Sequence, residues 1–259
     1  MGDCRALAIE TSGRIGEIGL VENGQTVLTK MFSHGLHHAA AIVSTIDQLT
    51  RSLGWRQREI QQVYVSAGPG SFTGLRIGIT LVKTLAFSIN CKIVAVETCK
   101  VLLMNAPAEA REVIIVLDAK RGQIFGARFL RQTSSSSPEP LTSWTEVEPP
   151  HLDTLSDILQ RSGRPVTLIG EGIPYHQHLI RDPDSVRITE ASLWRARVEH
   201  VARLGWIDAL AGRFADPFTL TPIYVRLPEA EEKRLRAEGK LRQTSSESSG
   251  PTFHGASSR

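Results

Sequence analysis

The sequence predicts an α/β protein made of two related halves, and three observations carry that prediction. AIETSGRIGEIGLV at 8–21 and VLDAKRGQIFGARF at 116–129 share one pattern: an apolar strand ends in a carboxylate, a short turn holds arginine and glycine, and a second strand returns. Between the two copies, strand and helix signals alternate, which favours parallel strands joined by right-handed crossovers. The 259 residues, 41% of them hydrophobic, suffice for one large or two small domains with a proper core.

In chain order, Arg5 to Glu10 reads as a short apolar strand, Ile15 to Val21 as a second, and Gln25 to Phe32 as a third. Asn23-Gly24 supplies the hairpin turn between the last two. Ala39 to Leu53 has Ile42, Ile46, Leu49 and Leu53 at helical spacing, and Gly54 ends it. A strand at Val63 to Val65 leads into the apolar helix Gly74 to Ile89, then a strand at Lys92 to Val96 and a helix at Thr98 to Asn105. Pro107 marks the first boundary. Beyond it come strands at Val113 to Asp118 and Gln123 to Arg131, then a Ser/Pro-rich stretch, Gln132 to Pro150, read as a long surface loop around a short strand near Trp144. A helix at Leu152 to Arg161, a strand at Val166 to Ile169 and an amphipathic helix at Trp194 to Arg213 follow, the last burying Val198, Val201, Ala202, Ile207 and Leu210. The resulting division is a first half at 1–106, a reduced second half at 107–228, and a charged, then Ser/Gly-rich tail at 229–259 expected to be disordered.

The stretch around which the rest is arranged is SAGPGSFTGLRIGITLVKTLAFSI, 66–89. Gly68 and Gly70 permit backbone angles and close approaches that a Cβ forbids, and Pro69 fixes φ. Ser71 or Thr73 can cap the helix, and Arg76 lies one turn inside it. Such a helix start suits an anion. The plainer alternative is a tight strand-to-helix turn that binds nothing, since neither a dinucleotide-binding glycine pattern nor a Walker lysine is present. The helix has no wide polar face, so it needs cover on most sides.

Composition narrows the function. A net charge of +3, with much of the basic excess near the C-terminus, does not mark a nucleic-acid binder. Cys4, Cys91 and Cys99 are an odd count without metal spacing, which suggests reduced thiols in a cytoplasmic protein. Neither a leader nor an apolar run of about 18 residues is apparent, so secretion and membrane spanning are unsupported.

Glu10 and Asp118 end the two repeated strands and could face each other across a cleft, as carboxylates that bind metal-phosphate must. Alternatively, each bonds its own turn. His34 and His38 have the spacing that places two imidazoles on one helix face, but Gly35 lies between them, so exposed histidines at a helix start are the ordinary reading. No nucleophile-elbow or Ser-His-Asp order stands out.

With LAIETS, GPGSFTGLRIG (68–78), VLDAKRGQIF and PIYVR (222–226) in hand, the chain resembles the bacterial TsaB (YeaZ) family over about residues 5 to 226. Members of that family are accessory subunits of the machinery that makes N6-threonylcarbamoyladenosine at position 37 of ANN-decoding tRNAs. The resemblance implies the actin-like/Hsp70-like ATPase (ASKHA) fold, two related lobes of mixed sheets flanked by helices. It also implies partnership with the catalytic paralogue TsaD and with the ATPase TsaE, a homodimer in their absence, and contact with tRNA only through the complex.

TsaD-like proteins carry a metal-binding His-x-x-x-His after the strand that follows the central helix; here those positions fall on Thr98 and Leu102. The resemblance therefore implies a non-catalytic scaffold with no metal and no cofactor of its own, adenine nucleotide being expected at the complex interface. The expected docking residues are Ile42, Ile46, Leu49, Leu75, Arg76, Ile79, Val82 and Lys83; the candidate nucleotide or anion cleft is Glu10, Thr11, Gly68, Gly70, Ser71 and Asp118. Two rivals remain: a metal- or ATP-dependent enzyme of the superfamily, kinase-like or peptidase-like, and an RNA-binding module using Arg76, Lys83 and the C-terminal basic residues, for which aromatic interleaving is poor.

Overall fold

The computed structural model describes residues 3–33, 38–132, 141 and 143–226, with the backbone alone for 33 and 38–41. The predicted tail at 229–259, His34 and His37 lie outside the described residues, as do the side chain of His38 and part of the Ser/Pro-rich stretch.

The chain opens with β1 (Arg5–Glu10), β2 (Ile15–Glu22) and β3 (Gln25–Ser33), an antiparallel meander. Asn23 and Gly24, at φ 49° and 82°, turn β2 into β3, the geometry that Asn-Gly favours. Helix α1 (His38–Ser52) leads to β4 (Gln62–Gly68), which pairs parallel with β1. Helix α2 (Phe72–Ile89) leads to β5 (Lys92–Glu97), parallel to β4, and α3 (Thr98–Leu103) follows.

The second half repeats this plan. Strands β6 (Glu112–Asp118), β7 (Ile124–Arg131) and β8 (Trp144–Asp153) form a second meander. Helix α4 (Leu155–Arg161), β9 (Val166–Ile169), α5 (Ile173–His176) and β10 (Val186–Ile188) complete it, and α6 (Val198–Leu210) follows. The two five-stranded sheets have the orders β3-β2-β1-β4-β5 and β8-β7-β6-β9-β10, so one topology occurs twice. This duplicated pair of mixed sheets is the actin-like fold, and the short repeat seen in the sequence marks equivalent hairpins of the two copies.

Strand periodicity explains the layers. Leu7 and Ile9 of β1 face a cluster with α1 and α2, whereas Ala6 and Ala8 face the cluster shared with α3 and α6. In β6, Val113, Ile115 and Leu117 join that same shared cluster, and Ile114 and Val116 face α4 and α5. Both strands are therefore buried on both faces, which is why they read as continuous apolar runs. The layers run α1/α2, first sheet, α3/α6, second sheet, α4/α5. Helix α6 lies close on the first sheet because Gly205 leaves room for Tyr64: a Cβ there would come 2.4 Å from the ring. Helix α6 and the residues after it pack on or bond to the first sheet, Ala215 N to Ile93 O and Ile223 N to Ala67 O.

Other expectations need correction. The stretch expected to be mostly loop contains a ten-residue strand, β8; it is an edge strand, where Pro149 and Pro150 need not donate to a neighbour on the open side. Helix α4 begins at Leu155 rather than Leu152, because Thr154 Oγ1 accepts from Asp157 N at 3.1 Å and caps it there. Helix α6 starts at Val198 rather than Trp194, its first amide bonded by Glu17 of β2 at 3.2 Å, a tertiary cap with no local sequence signal. It ends before Arg213, and Leu210, expected inside, is exposed.

Candidate functional site: the glycine corner and its helix

Three of the four family blocks, far apart in sequence, meet at the start of α2. The backbone N–H of Ser71 donates to Ser12 O at 2.7 Å, and that of Ile223 donates to Ala67 O at 2.7 Å. The glycines answer to these approaches. A Cβ would come 2.8 Å from Ile223 O at Gly68, 2.4 Å from Ser12 O at Gly70, 2.0 Å from Thr11 O at Gly74 and 2.5 Å from Thr11 Oγ1 at Gly78. Ser71 caps the helix, its hydroxyl accepting from Gly74 N at 3.2 Å.

Thr11, Gly68, Gly70 and Ser71, expected in one cleft, do come together at this corner, with Thr11 Oγ1 buried and without a partner among the described residues. The corner is filled by the chain's own backbone, and the amides of Ser71 and Gly74 are already bonded.

The two strand-end acids each accept bonds from nearby groups. Glu10 is fully buried and accepts from Ser12 N and Ser12 Oγ at 2.6 Å each, and from Ser66 Oγ. Burial pushes its pKa up, against the pull of those bonds. Asp118 accepts from Lys120 N at 3.1 Å and Lys120 Nζ at 2.6 Å, and lies 3.3 Å from His176 Nε2. Burial lifts its pKa, but the bonds from Lys120 and His176 bring it below the usual carboxylate value. Each acid bonds the turn that follows it and one group outside that turn, Ser66 for Glu10 and His176 for Asp118.

The cleft between the two hairpin turns is bridged by residues that sequence reasoning missed. Glu171, just after β9, accepts from Arg14 N at 3.0 Å. The Tyr175 ring in α5 receives Arg14 from one half at 5.0 Å and Lys120 from the other at 5.4 Å. Nothing in the local sequence marked Glu171 or Tyr175.

The positions aligned with the paralogue's histidines do not fit a metal. Thr98 and Leu102 are each 1% exposed, and Leu102 packs in the inter-sheet core. Thr98 Oγ1 and Glu97 Oε1 are buried without partners among the described residues, and Lys100 lies 3.7 Å from Glu97 and 3.5 Å from Glu146. A second cluster, Glu148, His151 and Asp153, has its ligand atoms within 4.8 Å of one another. Arg161 already fills it, with Nη2 at 3.0 Å from Glu148 and 2.5 Å from Asp153. The described cysteines are free, and burial pushes the Cys91 thiol up to about 11 and raises that of Cys99, which keeps both unreactive.

Helix α2 is amphipathic in an unusual sense. Leu75, Ile79, Val82 and Ala86 are buried in the protein's own core, as are Ile42, Ile46 and Leu49 of α1. These six expected docking positions outside Arg76 and Lys83 (Ile42, Ile46, Leu49, Leu75, Ile79, Val82) therefore hold the fold together and cannot form a surface. The outward stripe is Thr73, Ile77, Thr80, Leu81, Thr84 and Ser88, half-buried or exposed and uncharged. By length and composition α2 could also cross a membrane, but its inner face is spent on the sheet.

A strap of residues 214–225 lies along the flank of α2. Ala215 N bonds Ile93 O at 2.8 Å and so covers the edge of β5. Phe218 meets Phe87 at 5.1 Å, Lys83 Nζ donates to Leu220 O at 3.2 Å, and Tyr224 meets Phe72 at 5.3 Å. Lys83 is thereby committed inside the chain.

A duplicated actin-like protein whose glycine corner launches a helix with an uncovered, uncharged face is the class that these features define. The profile of the family described as "TsaD: tRNA N6-adenosine threonylcarbamoyltransferase" matches residues 34–203, and the chain belongs to that family, on its TsaB (YeaZ) branch. It is 28% identical over 240 residues to the tRNA threonylcarbamoyladenosine biosynthesis protein TsaB of Bacillus subtilis strain 168, covering 90% of this chain and 98% of that protein. A tRNA N6-adenosine threonylcarbamoyltransferase of Staphylococcus epidermidis is 33% identical over 107 residues, 35% of this chain and 32% of the relative. Among solved structures, YeaZ from Pseudomonas aeruginosa superimposes with a TM-score of 0.68 at 21% identity, over 85% of this chain and 99% of the other.

Proposed function

We propose that this chain is a non-catalytic subunit of the machinery that forms N6-threonylcarbamoyladenosine at position 37 of ANN-decoding tRNAs. It acts by docking the outward stripe of α2 onto the catalytic, TsaD-type member of its own family. One observation carries the reading: the helix after the family's glycine motif spends one face on the core and leaves a charge-free stripe outward, Thr73, Thr80, Thr84 and Ser88 exposed with Ile77 and Leu81 half-buried between them. The curated relatives are named for this biosynthesis, and the positions of the paralogue's metal ligands hold a hydroxyl and a buried hydrocarbon.

In the same proposal the ATPase TsaE joins the pair, the free chain can self-associate through the same stripe, and tRNA is met through the complex. The isolated chain holds no cofactor, adenine nucleotide binds at the junction with the partner, and the protein works in the cytoplasm. Reconstitution tests this: cognate TsaD, TsaE and threonylcarbamoyl-adenylate synthase are incubated with tRNA, with and without this chain. Modification should require the chain, and the chain alone should transfer nothing. Transfer by the lone chain, or full modification without it, overturns the proposal.

A further inference from the structure

The strap fixes one exposed cation that no carboxylate among the described residues pairs. Arg76 stands one turn into α2, its guanidinium 4.0 Å above the Phe72 ring, and its Nε donates to Tyr224 Oη at 3.1 Å. Phe72 and Tyr224 in turn contact each other, so the side chain is held on two sides by groups from helix and strap. Among the described residues no carboxylate pairs with it, and Arg76 is exposed. Helix α2 contributes no acid in its first turn or elsewhere along its length. Its positive end adds to the Arg76 charge, whereas Lys83, the other cation of the helix, is turned to the Leu220 carbonyl.

We propose that Arg76 is the charged anchor of the docking surface and that it receives a carboxylate presented by the partner protein beside an apolar helical face. The inference rests on the docking role proposed above and adds to it the chemistry of the partner. A planar guanidinium already stacked and bonded loses little freedom when it forms a bidentate pair, so its charge is spent on recognition. The uncharged stripe running away from Arg76 along the same helix, exposed Thr73, Thr80 and Thr84 with half-buried Ile77 and Leu81, adds no second cation for a phosphate backbone and favours a protein over a nucleic acid as the occupant.

Affinity for the cognate TsaD-type transferase, measured at low and high salt on the full chain, tests the proposal. Arg76→Ala should weaken binding about tenfold or more at low salt and flatten its salt dependence, with thermal stability unchanged. Arg76→Lys should recover only part of the loss. Tyr224→Phe, which keeps the ring and removes the bond that orients the guanidinium, should weaken binding by a smaller factor. Arg76→Glu should be rescued by a Lys at one acidic position of the transferase, found by changing its surface acids in turn. Unchanged affinity and salt slope in Arg76→Ala, with wild type still binding, overturn the inference and leave the docking role standing. A loss confined to tRNA affinity overturns it as well. Failure of the wild type to bind the transferase instead removes the docking role.

Discussion

At the scale of single residues, the site is decided by contacts a few tenths of an ångström wide. Gly74 shows this most sharply, since its absent Cβ would lie 2.0 Å from Thr11 O, a backbone atom that cannot turn aside. Gly74→Ala should therefore cost about 1–3 kcal/mol as the helix start is pushed off the first hairpin, lowering the melting temperature by several degrees, whereas Gly54→Ala, with open space around its Cβ position, should cost only the strain of its positive φ. Paired thermal melts check this; equal melting temperatures for wild type and Gly74→Ala would contradict the packing account. That a tight turn stands at 68–70 was legible from glycine and proline alone. What fills it was not, because Ser12 and Ile223 come from distant segments and neither carries a local mark of its destination. The same holds for Arg76: one turn of helix could be read from the sequence, but not the Phe72–Tyr224 pair that fixes its guanidinium.

At the scale of elements, α6 shows how a helix is placed by groups outside it. Glu17 caps it from β2, and His200 bonds Asn105 at 2.9 Å, whose amide donates to Leu193 O and Arg195 O at 3.0 and 2.9 Å. Burial, assisted by Arg197 and Arg203 and opposed by Glu199, lowers the His200 pKa to about 4 from an ordinary value near 6.5. A base with a depressed folded pKa contributes stability that is full above the unfolded value and is lost as pH falls towards the folded one. Stability should therefore drop between about pH 6.5 and about pH 4, and His200→Gln, which can still donate to Asn105, should make that drop shallower. Urea midpoints at pH 7 and pH 4.5 decide it: identical slopes in the two proteins would assign the acid loss elsewhere. The strands and most helices were legible from periodicity, because burial on one or two faces is written in the order of residues. The ends of α4 and α6 and the length of β8 were less so: a Thr cap, a tertiary Glu cap and an edge position decided them.

At the scale of the whole molecule, duplication sets the division of labour. Two sheets of one topology pack on a shared middle layer of α3 and α6, and their equivalent hairpin turns are tied across the cleft by Glu171 and Tyr175. With the inner face of α2 buried, what that helix offers outward is its uncharged stripe, with the strap beside it. The short repeat in the sequence pointed to this duplication. It could not say which side of an almost wholly apolar helix faces water, since the burial of Ile79 and the exposure of Thr80 differ only by a rotation about the helix axis. The central claim is that this stripe is where the catalytic relative docks. It is tested most directly by the affinity of that transferase for Thr80→Arg/Thr84→Arg, two exposed positions where arginine suits a helix at least as well as threonine. The account predicts binding lost by about a hundredfold or more, from two charges desolvated against an apolar face, with the melting temperature preserved. Wild-type affinity in that doubly charged, fully folded chain would contradict it.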